Sequence, residues 1–399
     1  MGNPGKLSYI DIFAGCGGMS LGLYESGWRG VFAIEKNPMA FETLRYNLID
    51  KKDHFDWPSW LPQTEHDINN VIRKHSQKLK ALQGKIDLVV GGPPCQGFSF
   101  AGRRNRNDSR NQAMYSYIKF IKLVKPRALF FENVKGFTVG FKAGRGRSEP
   151  YSNHIEGKLE DLGYNVKSKI VDFSDYGVPQ RRHRFILVGI RDADSSLFFE
   201  KLEARKRGFL DGKGLPQNAT VSDALSDILR SHGEVDAPES PGFRSGTYSS
   251  NMSNYQKVMR NGWKKEIPDS HRFAHHSSKT IRKFRVIMNK CEKGKAISEE
   301  IRKELGFDKK SITPLDGEQA SPTLTTLPDD YIHYCEPRIL TVREYARIQS
   351  FKDWYEIRGK YTTGGTLRRL EIPRYTQVGN AIAPLFGEQS GNVFNEMLK

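Results

Sequence analysis

The stretch that most restricts how this chain can fold is residues 86–99, Ile-Asp-Leu-Val-Val-Gly-Gly-Pro-Pro-Cys-Gln-Gly-Phe-Ser. Its apolar start is typical of a buried parallel strand, and the glycines and prolines that follow predict a tight loop at the strand's carboxyl end. Ligands bind at this edge of open α/β sheets, so Cys95 on the loop is placed for chemistry. The alternative is a buried cysteine used as a small hydrophobe. The flanking Gly-Gly-Pro-Pro and the polar Gln96 favour an accessible thiol.

A strand, a glycine turn and a helix are predicted at the start of the chain. Residues 8–13 form the strand, and Gly15, Gly17 and Gly18 form the turn, which is either a ligand-binding loop or only a tight structural turn. A second strand ends at Glu35, the position at which nucleotide-binding folds hold a ribose diol. The alternation of strands and helices predicts an α/β fold.

Charged side chains follow other predicted strands. Glu132 ends a buried strand, where it is either part of a site or half of a salt bridge. Arg182 and Arg184 lie between two further strands, an arrangement that favours side chains pointing into a site. Asp67 accepts a hydrogen bond either from an adenine amino group or from the start of a helix.

The chain is strongly basic, with 63 Lys and Arg residues against 46 Asp and Glu residues and a net charge of +17. This charge predicts a polyanionic partner, most simply nucleic acid. The four cysteines are far apart and contain no CxxC pair, so neither a disulfide framework nor a zinc site is predicted. No apolar run is long enough for a membrane span, and no secretion leader is visible. A reduced, intracellular protein without a bound metal is expected.

Regular alternation fades over residues 194–337, where basic residues and scattered aromatics dominate. The segment from Lys279 to Lys295 is especially basic, which suits either a groove that follows a phosphate backbone or a solvated helix. At Thr341 a capping box predicts that helical structure returns. We therefore predict that residues 338–399 complete the domain formed by residues 1–193, and that 194–337 form a second domain.

Five motifs, in this order along the chain, resemble those of the DNA (cytosine-5)-methyltransferase family of the bacterial restriction-modification type. They are Asp-Ile-Phe-Ala-Gly-Cys-Gly-Gly from Asp11, Gly-Pro-Pro-Cys-Gln-Gly-Phe-Ser from Gly92, Glu-Asn-Val from Glu132, Gln-Arg-Arg-His-Arg from Gln180 and Gly-Asn-Ala from Gly379. The resemblance implies a Rossmann-like sheet flanked by helices that binds S-adenosylmethionine. It also implies that residues 194–337 are a smaller, irregular target-recognition domain.

The resemblance implies methylation at C5 of cytosine, with a role for each catalytic residue. Cys95 would add to C6 as the nucleophile, and Glu132 would donate a hydrogen bond or proton to N3. Arg182 and Arg184 would lie near the base and favour the thiolate. The target base must leave the duplex before this chemistry can occur.

Two further groups of residues take roles from the same resemblance. The loop over the flipped base would contain Gln96, Ser99 and Arg103. The cofactor pocket would be lined by Phe13, Gly15, Gly17, Gly18, Glu35, Asp67, Ile68, Pro94, Asn380 and Ala381. Three features depart from the usual pattern: Lys36 replaces a frequent aromatic, Lys352 replaces a frequent proline, and residues 356–374 form a longer segment.

Three other functions are compatible with parts of the sequence. A tRNA cytosine-5 methyltransferase would share the same core, and an idle homologue would bind DNA without turnover. A nicotinamide-dependent dehydrogenase would share the strand and glycine turn but does not explain Pro-Pro-Cys. The expected partner is double-stranded DNA, with a cognate restriction endonuclease that acts on the same site without binding the protein. A cytoplasmic, nucleoid-associated monomer is expected.

Overall fold

A computed structural model describes residues 5–94, 112–139, 142–143, 146–147, 149–309, 311–363, 367 and 371–399. The chain folds into two compact units. The first comprises Met1–Asp172, His183–Lys206 and Phe386–Lys399, and the second comprises Phe173–Arg182 and Arg207–Leu385. Cys95, Gln96, Ser99 and Arg103 lie outside the described residues, so their predicted roles stay predictions.

A mixed sheet of six strands forms the centre of the first unit. The strands are β1 (Ser8–Ile12), β2 (Arg29–Ile34), β3 (Leu88–Gly91), β4 (Ala128–Val134), β7 (Asn165–Asp172) and β8 (His183–Ile190), in the order β2-β1-β3-β4-β8-β7. The first four strands in this order are parallel, and β8 runs antiparallel to both β4 and β7. The strands β5 (Lys142–Ala143) and β6 (Gly146–Arg147) form a separate short pair.

Helices cover both faces of this sheet, which confirms the predicted Rossmann-like architecture. They are α1 (Gly18–Glu25), α2 (Pro38–Leu44), α3 (Ile68–Lys74), α4 (Ser76–Lys80), α5 (Gln112–Val124), α6 (Tyr151–Glu160), the first part of α7 (Ser196–Gly212) and most of α14 (Pro384–Leu398). Successive residues of a strand point to opposite faces. Accordingly, Phe131 packs against Tyr117 of α5, whereas Phe130 packs against Phe394 of α14.

One residue of this unit lies elsewhere than the sequence predicts, whereas other local contacts are simple. Asn37 caps α2, because its Oδ1 accepts from the backbone N–H groups of Met39 and Ala40. Met114 is a core residue. However, Arg184 does not lie in the connection between the last two strands. It belongs to β8 itself, which begins at His183 because the pairing with β7 extends to Asp172.

The second unit contains short helices and short strands joined by irregular segments. Its helices are the end of α7, α8 (Val221–Leu225), α9 (Asn254–Arg260), α10 (Ser278–Lys290), α11 (Glu299–Glu304), α12 (Val342–Ile348) and α13 (Arg374–Asn380). Its strands pair as β9 (Glu234–Asp236) with β10 (Arg244–Gly246), and β11 (Thr313–Pro314) with β12 (Tyr331–Ile332). Thr341 forms the predicted capping box with Glu344 at the start of α12.

Buried ion pairs stabilise α12 within the second unit. The Arg347 guanidinium donates to Asp353 Oδ2 at 2.7 Å and to Asp227 Oδ1 at 3.1 Å, and all three residues are fully buried. Burial alone would raise the pKa of Asp353, but the adjacent Arg347 holds it below its usual value. Because the charges compensate one another, removing one partner would leave a costly unpaired charge in the core.

No helix among the described residues is long and apolar enough to cross a membrane.

Candidate active site

The carboxyl ends of four parallel strands form one edge of the sheet in the first unit. Ile12 of β1 pairs with Ile34 of β2 and with Gly91 of β3, and Gly91 pairs in turn with Phe131 of β4. The residues that come next along the chain are Phe13, Glu35, Gly92 and Glu132. Four sequence-predicted segments therefore meet at the edge where α/β sheets bind ligands.

Glu35 is tied to the glycine turn by hydrogen bonds. Its Oε2 accepts from Gly15 N at 2.9 Å, and its Oε1 accepts from Asn37 N at 2.8 Å. The side chain is buried, and this desolvation raises its pKa above the usual value despite the two backbone donors. A carboxylate offers more acceptor positions than two, so Glu35 retains the capacity to accept from the hydroxyls of a diol.

The backbone of the turn adopts conformations that few residues tolerate. Phe13 has a φ of 62°, Gly15 of 56° and Gly17 of 85°. A Cβ on Gly15 would meet no atom within 4 Å, so glycine is required here by the positive φ and not by crowding. There is open space beside the turn. The positive φ of Phe13 is strained for a bulky residue, and strain of this kind clusters at functional sites. Gly17 caps α1 and Gly18 begins it.

Asp67 caps the start of α3, as one of its two predicted roles required. Its Oδ1 accepts from Asn69 N at 2.9 Å and from Asn70 N at 3.3 Å, and the next residue, Ile68, is buried. The segment is also held at the end of β2, because His66 N donates to the carbonyl of Glu35 at 2.7 Å. The contact of Asp67 and Ile68 with an adenine stays a prediction.

Glu132 forms an ion pair with Arg184 across neighbouring strands. Arg184 Nε lies 2.8 Å from Glu132 Oε1, and both side chains are nearly buried. Next to this pair, Asn133 Nδ2 donates to the carbonyl of Pro93 at 3.3 Å. This bond fixes Pro93, the residue before the half-buried Pro94, at the end of β3.

Arg182 has a different environment from Arg184, although the two belong to one motif. It is buried in the second unit, where its Nη2 donates to the carbonyl of Gly379 at 2.8 Å. The predicted cofactor residues Asn380 and Ala381 follow Gly379 directly and belong to the same unit. The contact of Arg182 with the base therefore stays a prediction, while its contact with the 379–381 turn is observed.

The sequence did not single out three residues that hold these segments. Gln180 and Gln349 bond each other at 3.0 Å in the core of the second unit, and Asn133 holds the loop after β3. Gln180 lies in the Gln-Arg-Arg-His-Arg motif and Asn133 lies in Glu-Asn-Val, so their places in these motifs could have identified them from the sequence. For Gln349, the sequence offered no signal beyond its place at the end of the capped helix α12.

The fold and this edge together define a class of protein. A Rossmann-like sheet with a glycine turn after β1 and a buried acid after β2 is the arrangement of α/β enzymes that bind a nucleoside-containing cofactor. Within the described residues, no three His, Cys, Asp or Glu side chains are grouped so as to hold a metal ion.

Comparison with known proteins makes the assignment specific. The model of the C-5 cytosine-specific DNA methylase family matches residues 7–395, and the chain belongs to this family. It is thus a DNA (cytosine-5)-methyltransferase of the restriction-modification type. This assignment excludes the dehydrogenase alternative.

Two of its relatives match nearly the whole chain. The Type II methyltransferase M.DdeI of Desulfomicrobium norvegicum is 29% identical over 398 residues, which is 96% of this chain and 87% of the relative. M.PspPI of a Psychrobacter species is 32% identical over 380 residues, covering 94% of this chain and 76% of the relative. A solved structure described as a prophage-encoded DNA modification methyltransferase of E. coli has a TM-score of 0.66 at 21% identity. That alignment covers 98% of this chain and 99% of the other, and it shows the shared fold.

Proposed function

We propose that this protein transfers a methyl group from S-adenosylmethionine to C5 of a cytosine flipped out of duplex DNA, through a covalent bond between Cys95 and C6. The observation that carries the proposal is the shared sheet edge. It presents the Glu35–glycine turn, suited to a nucleoside, beside the Glu132–Arg184 pair, suited to a polar base. The chain runs from β3 at the same edge to Pro94, which directly precedes Cys95 in the sequence.

The residues at this edge fit the cofactor. The buried Glu35 carboxylate would accept hydrogen bonds from the ribose hydroxyls, and the open space beside Gly15 leaves room for a ligand against the backbone. Phe13, Gly17 and Gly18 would contact the methionine end, Asp67 and Ile68 the adenine, and Pro94, Asn380 and Ala381 the remainder. When bound, S-adenosylmethionine supplies an electrophilic sulfonium methyl group.

The chain's own residues make C5 reactive. The Cys95 thiolate forms a bond to C6, and the electron pair of the C5–C6 double bond is released into the ring towards N3. Glu132, in its protonated form, donates the hydrogen bond or proton that stabilises N3. C5 then carries the electron density that forms the new carbon–carbon bond. Loss of the C5 proton to a base restores the double bond, expels Cys95 as a thiolate and lets the N3 proton return to Glu132.

The ion pair between Glu132 and Arg184 serves this chemistry by fixing the carboxyl group. A carboxyl group that must meet one ring nitrogen needs a defined orientation, and the Arg184 Nε contact of 2.8 Å restricts it. The guanidinium also adds a fixed positive charge, which favours a nearby thiolate over a thiol. The salt bridge and the catalytic role thus involve the same residue pair.

DNA binding falls to residues 194–337 in this proposal. On the helix α10, Lys279, Arg282 and Arg285 recur at helical spacing and are exposed, whereas Phe284 and Ile287 face the core. None of these three basic side chains forms an ion pair with another described residue, unlike Lys295, Lys303 and Lys309. A one-sided stripe of cations is the footprint that a phosphate backbone requires.

The biological role that follows is protection of the cell's own DNA from a restriction endonuclease with the same target sequence. Such a nuclease need not bind this protein, because both recognise the DNA independently. We propose a monomer, since a single flipped base is modified at a time, and we place it on chromosomal DNA at the nucleoid.

Nucleoside mass spectrometry tests the proposal. The purified protein would be incubated with labelled S-adenosylmethionine and either fragmented genomic DNA or bulk tRNA. We expect labelled 5-methylcytosine in the DNA only, and bisulfite sequencing of the product would map the target site. Label in tRNA alone would move the protein to RNA modification, and no label in a complete genome would identify an idle homologue.

A further inference from the structure

A buried cluster of Gln180, Arg182 and Gln349, called here the amide–guanidinium cluster, joins distant segments of the second unit. All three side chains are buried, with exposed fractions of 0%, 2% and 0%. Gln180 Nε2 donates to Gln349 Oε1 at 3.0 Å, and Arg182 Nη1 donates to Gln180 Oε1 at 3.3 Å. Buried polar groups of this kind are costly unless they are satisfied, so each bond restricts the position of its partners.

One side of the cluster holds residues 321–324. Gln180 and Ser321 pair as neighbouring extended residues, and Arg181 N donates to the Ser321 carbonyl at 2.8 Å. Gln180 Oε1 accepts from Leu324 N at 2.9 Å, so the same side chain that contacts Gln349 also contacts this segment. Thr323 Oγ1 adds a bond to the Arg181 carbonyl at 2.7 Å. These residues lie within the predicted recognition region, 194–337.

The other side of the cluster holds the 379–381 turn. Gln349 Nε2 donates to the Val378 carbonyl at 3.0 Å and lies 3.5 Å from the Ala381 carbonyl. Arg182 Nη2 donates to the Gly379 carbonyl at 2.8 Å. Carbonyls at the end of α13 would otherwise lack helical partners, so these donors determine how the helix ends.

The two sides also touch directly. A Cβ added to Gly379 would lie 2.5 Å from the Thr325 carbonyl oxygen, a distance at which the backbone must shift. The turn and the segment 321–326 are therefore in backbone contact, and the side chains of the cluster are hydrogen-bonded to both of them. Neither can move far unless the other moves or buried hydrogen bonds break.

We infer that Gln349 is a positioning residue for the cofactor, which acts by holding the 379–381 turn against the segment 321–326. The inference rests on the proposed roles of Asn380 and Ala381 in cofactor binding and of residues 194–337 in DNA binding. It has two consequences. Loss of the Gln349 amide weakens cofactor binding, and it reduces the coupling between DNA binding and cofactor binding.

Gln349→Met tests the first consequence, because methionine keeps the volume and removes both hydrogen-bonding atoms. The matched control is Gln256→Met. Gln256 is equally buried in the same unit, but its Nε2 bonds Ser226 Oγ at 2.8 Å between α8 and α9. The probe is S-adenosylhomocysteine, titrated calorimetrically into each full-length protein. Both variants should lose thermal stability, but only Gln349→Met should lose affinity, by about tenfold.

The outcomes separate the inference from the proposed function. Wild-type affinity in Gln349→Met, together with a fall in melting temperature equal to that of Gln256→Met, would show that the residue is merely structural. If the wild-type protein itself does not bind S-adenosylhomocysteine, the proposed cofactor is wrong. Thr323→Val provides a milder change should Gln349→Met not fold, since it removes only the bond to the Arg181 carbonyl. A smaller loss of affinity is expected there, and an unchanged affinity contradicts the inference.

The second consequence is tested by repeating the titration with a duplex that contains the mapped target site. In the wild-type protein and in Gln256→Met, the duplex should tighten binding of S-adenosylhomocysteine, because an ordered recognition segment holds the turn in place. In Gln349→Met, the ratio of the affinities with and without the duplex should fall towards one. An equal ratio in all three proteins, or no effect of DNA on the affinity of the wild type, would overturn the coupling.

Discussion

Arg184 of β8 and Glu132 of β4 form an ion pair because of the register between their strands. Val134 lies opposite Arg184, and Glu132 lies opposite Ile186, so the two charged residues are diagonal neighbours on one face of the sheet. Long side chains reach each other across such a diagonal, and the Nε–Oε1 distance here is 2.8 Å. The antiparallel strand β8 therefore brings an arginine to the carboxyl edge of otherwise parallel strands.

Glu132→Gln should lower turnover strongly while leaving the fold intact. The amide keeps the size of the side chain but does not deliver a proton to N3, and a missing general acid costs on the order of 10²–10⁴ in rate. The measurement is the initial rate of methyl transfer to DNA, with circular dichroism to verify folding. The control is Asp87→Asn, which breaks the 2.8 Å pair with Arg127 outside the proposed site. Turnover equal to that of Asp87→Asn would argue against a catalytic Glu132.

The sequence predicted what is local to this edge. The strands before Glu35 and Glu132 are apolar runs, so these two acids could be placed at strand ends without a structure. The family of the chain followed from the order of the motifs. The predicted Thr341 capping box is also present, since it depends only on residues three apart.

The sequence could not predict contacts that depend on long-range register. Arg182 and Arg184 share a motif, yet the first bonds the carbonyl of Gly379 and the second bonds Glu132. Their separation arises because β8 begins between them, at His183, and strand pairing is not encoded in the motif. The role of Gln349 could not be predicted for a similar reason, since its partners are 169 residues before it and 29 after it.

Cys95→Ser should abolish turnover but preserve binding of cofactor and DNA, because a serine hydroxyl is a much poorer nucleophile than a thiolate. The matched control, Cys291→Ser, removes a half-buried thiol from the second unit and should retain turnover. Cys16 does not compete for this role, since burial raises its pKa to about 12. Methyl transfer to DNA and calorimetric binding are the two readouts. Substantial turnover by Cys95→Ser would refute the covalent mechanism.

Asp11 should make the protein less stable as the pH rises towards neutrality. Burial, with a smaller effect of the Glu35 charge, raises the pKa of Asp11 from 3.8 to about 7 in the folded state. Between about pH 4 and 7 the folded protein therefore keeps a proton that the unfolded chain has released. The free energy of unfolding falls by up to about 1.4 kcal/mol per pH unit in this window.

Asp11→Asn removes this titration and keeps an acceptor for Ser20 Oγ, which lies 2.6 Å from Asp11 Oδ2. The difference in unfolding free energy between wild type and variant should thus shift in favour of the variant from pH 4 to pH 7. Urea unfolding at several pH values measures it. Parallel pH curves for the two proteins would contradict a raised pKa at Asp11.

Neutralising the basic stripe of α10 should reduce the salt dependence of DNA binding. Each phosphate contact contributes about 0.9 to the slope of log K against log salt, so the double variant Arg282→Gln/Arg285→Gln should lower the slope by about 1.8. The control is Lys295→Gln/Lys303→Gln, which removes two exposed lysines that already pair with Glu292 and Glu299. Fluorescence anisotropy over a range of salt concentrations provides the slopes. Equal slopes in the two double variants would mean that α10 does not contact the backbone.

Two helical glycines should respond to alanine in opposite ways. At Gly208, in the exposed part of α7, an added Cβ meets no atom within 4 Å, so Gly208→Ala should stabilise the protein by roughly 0.5–1 kcal/mol. At Gly379 the same methyl group would lie 2.5 Å from the Thr325 carbonyl oxygen. The turn would then have to move away from the backbone that it contacts. Gly379→Ala should therefore lower the melting temperature and also weaken binding of S-adenosylhomocysteine, whereas Gly208→Ala should leave that affinity unchanged. The opposite outcome is an affinity that rises with the melting temperature in Gly208→Ala and falls with it in Gly379→Ala. That result would show that global stability, and not the position of the 379–381 turn, determines cofactor binding.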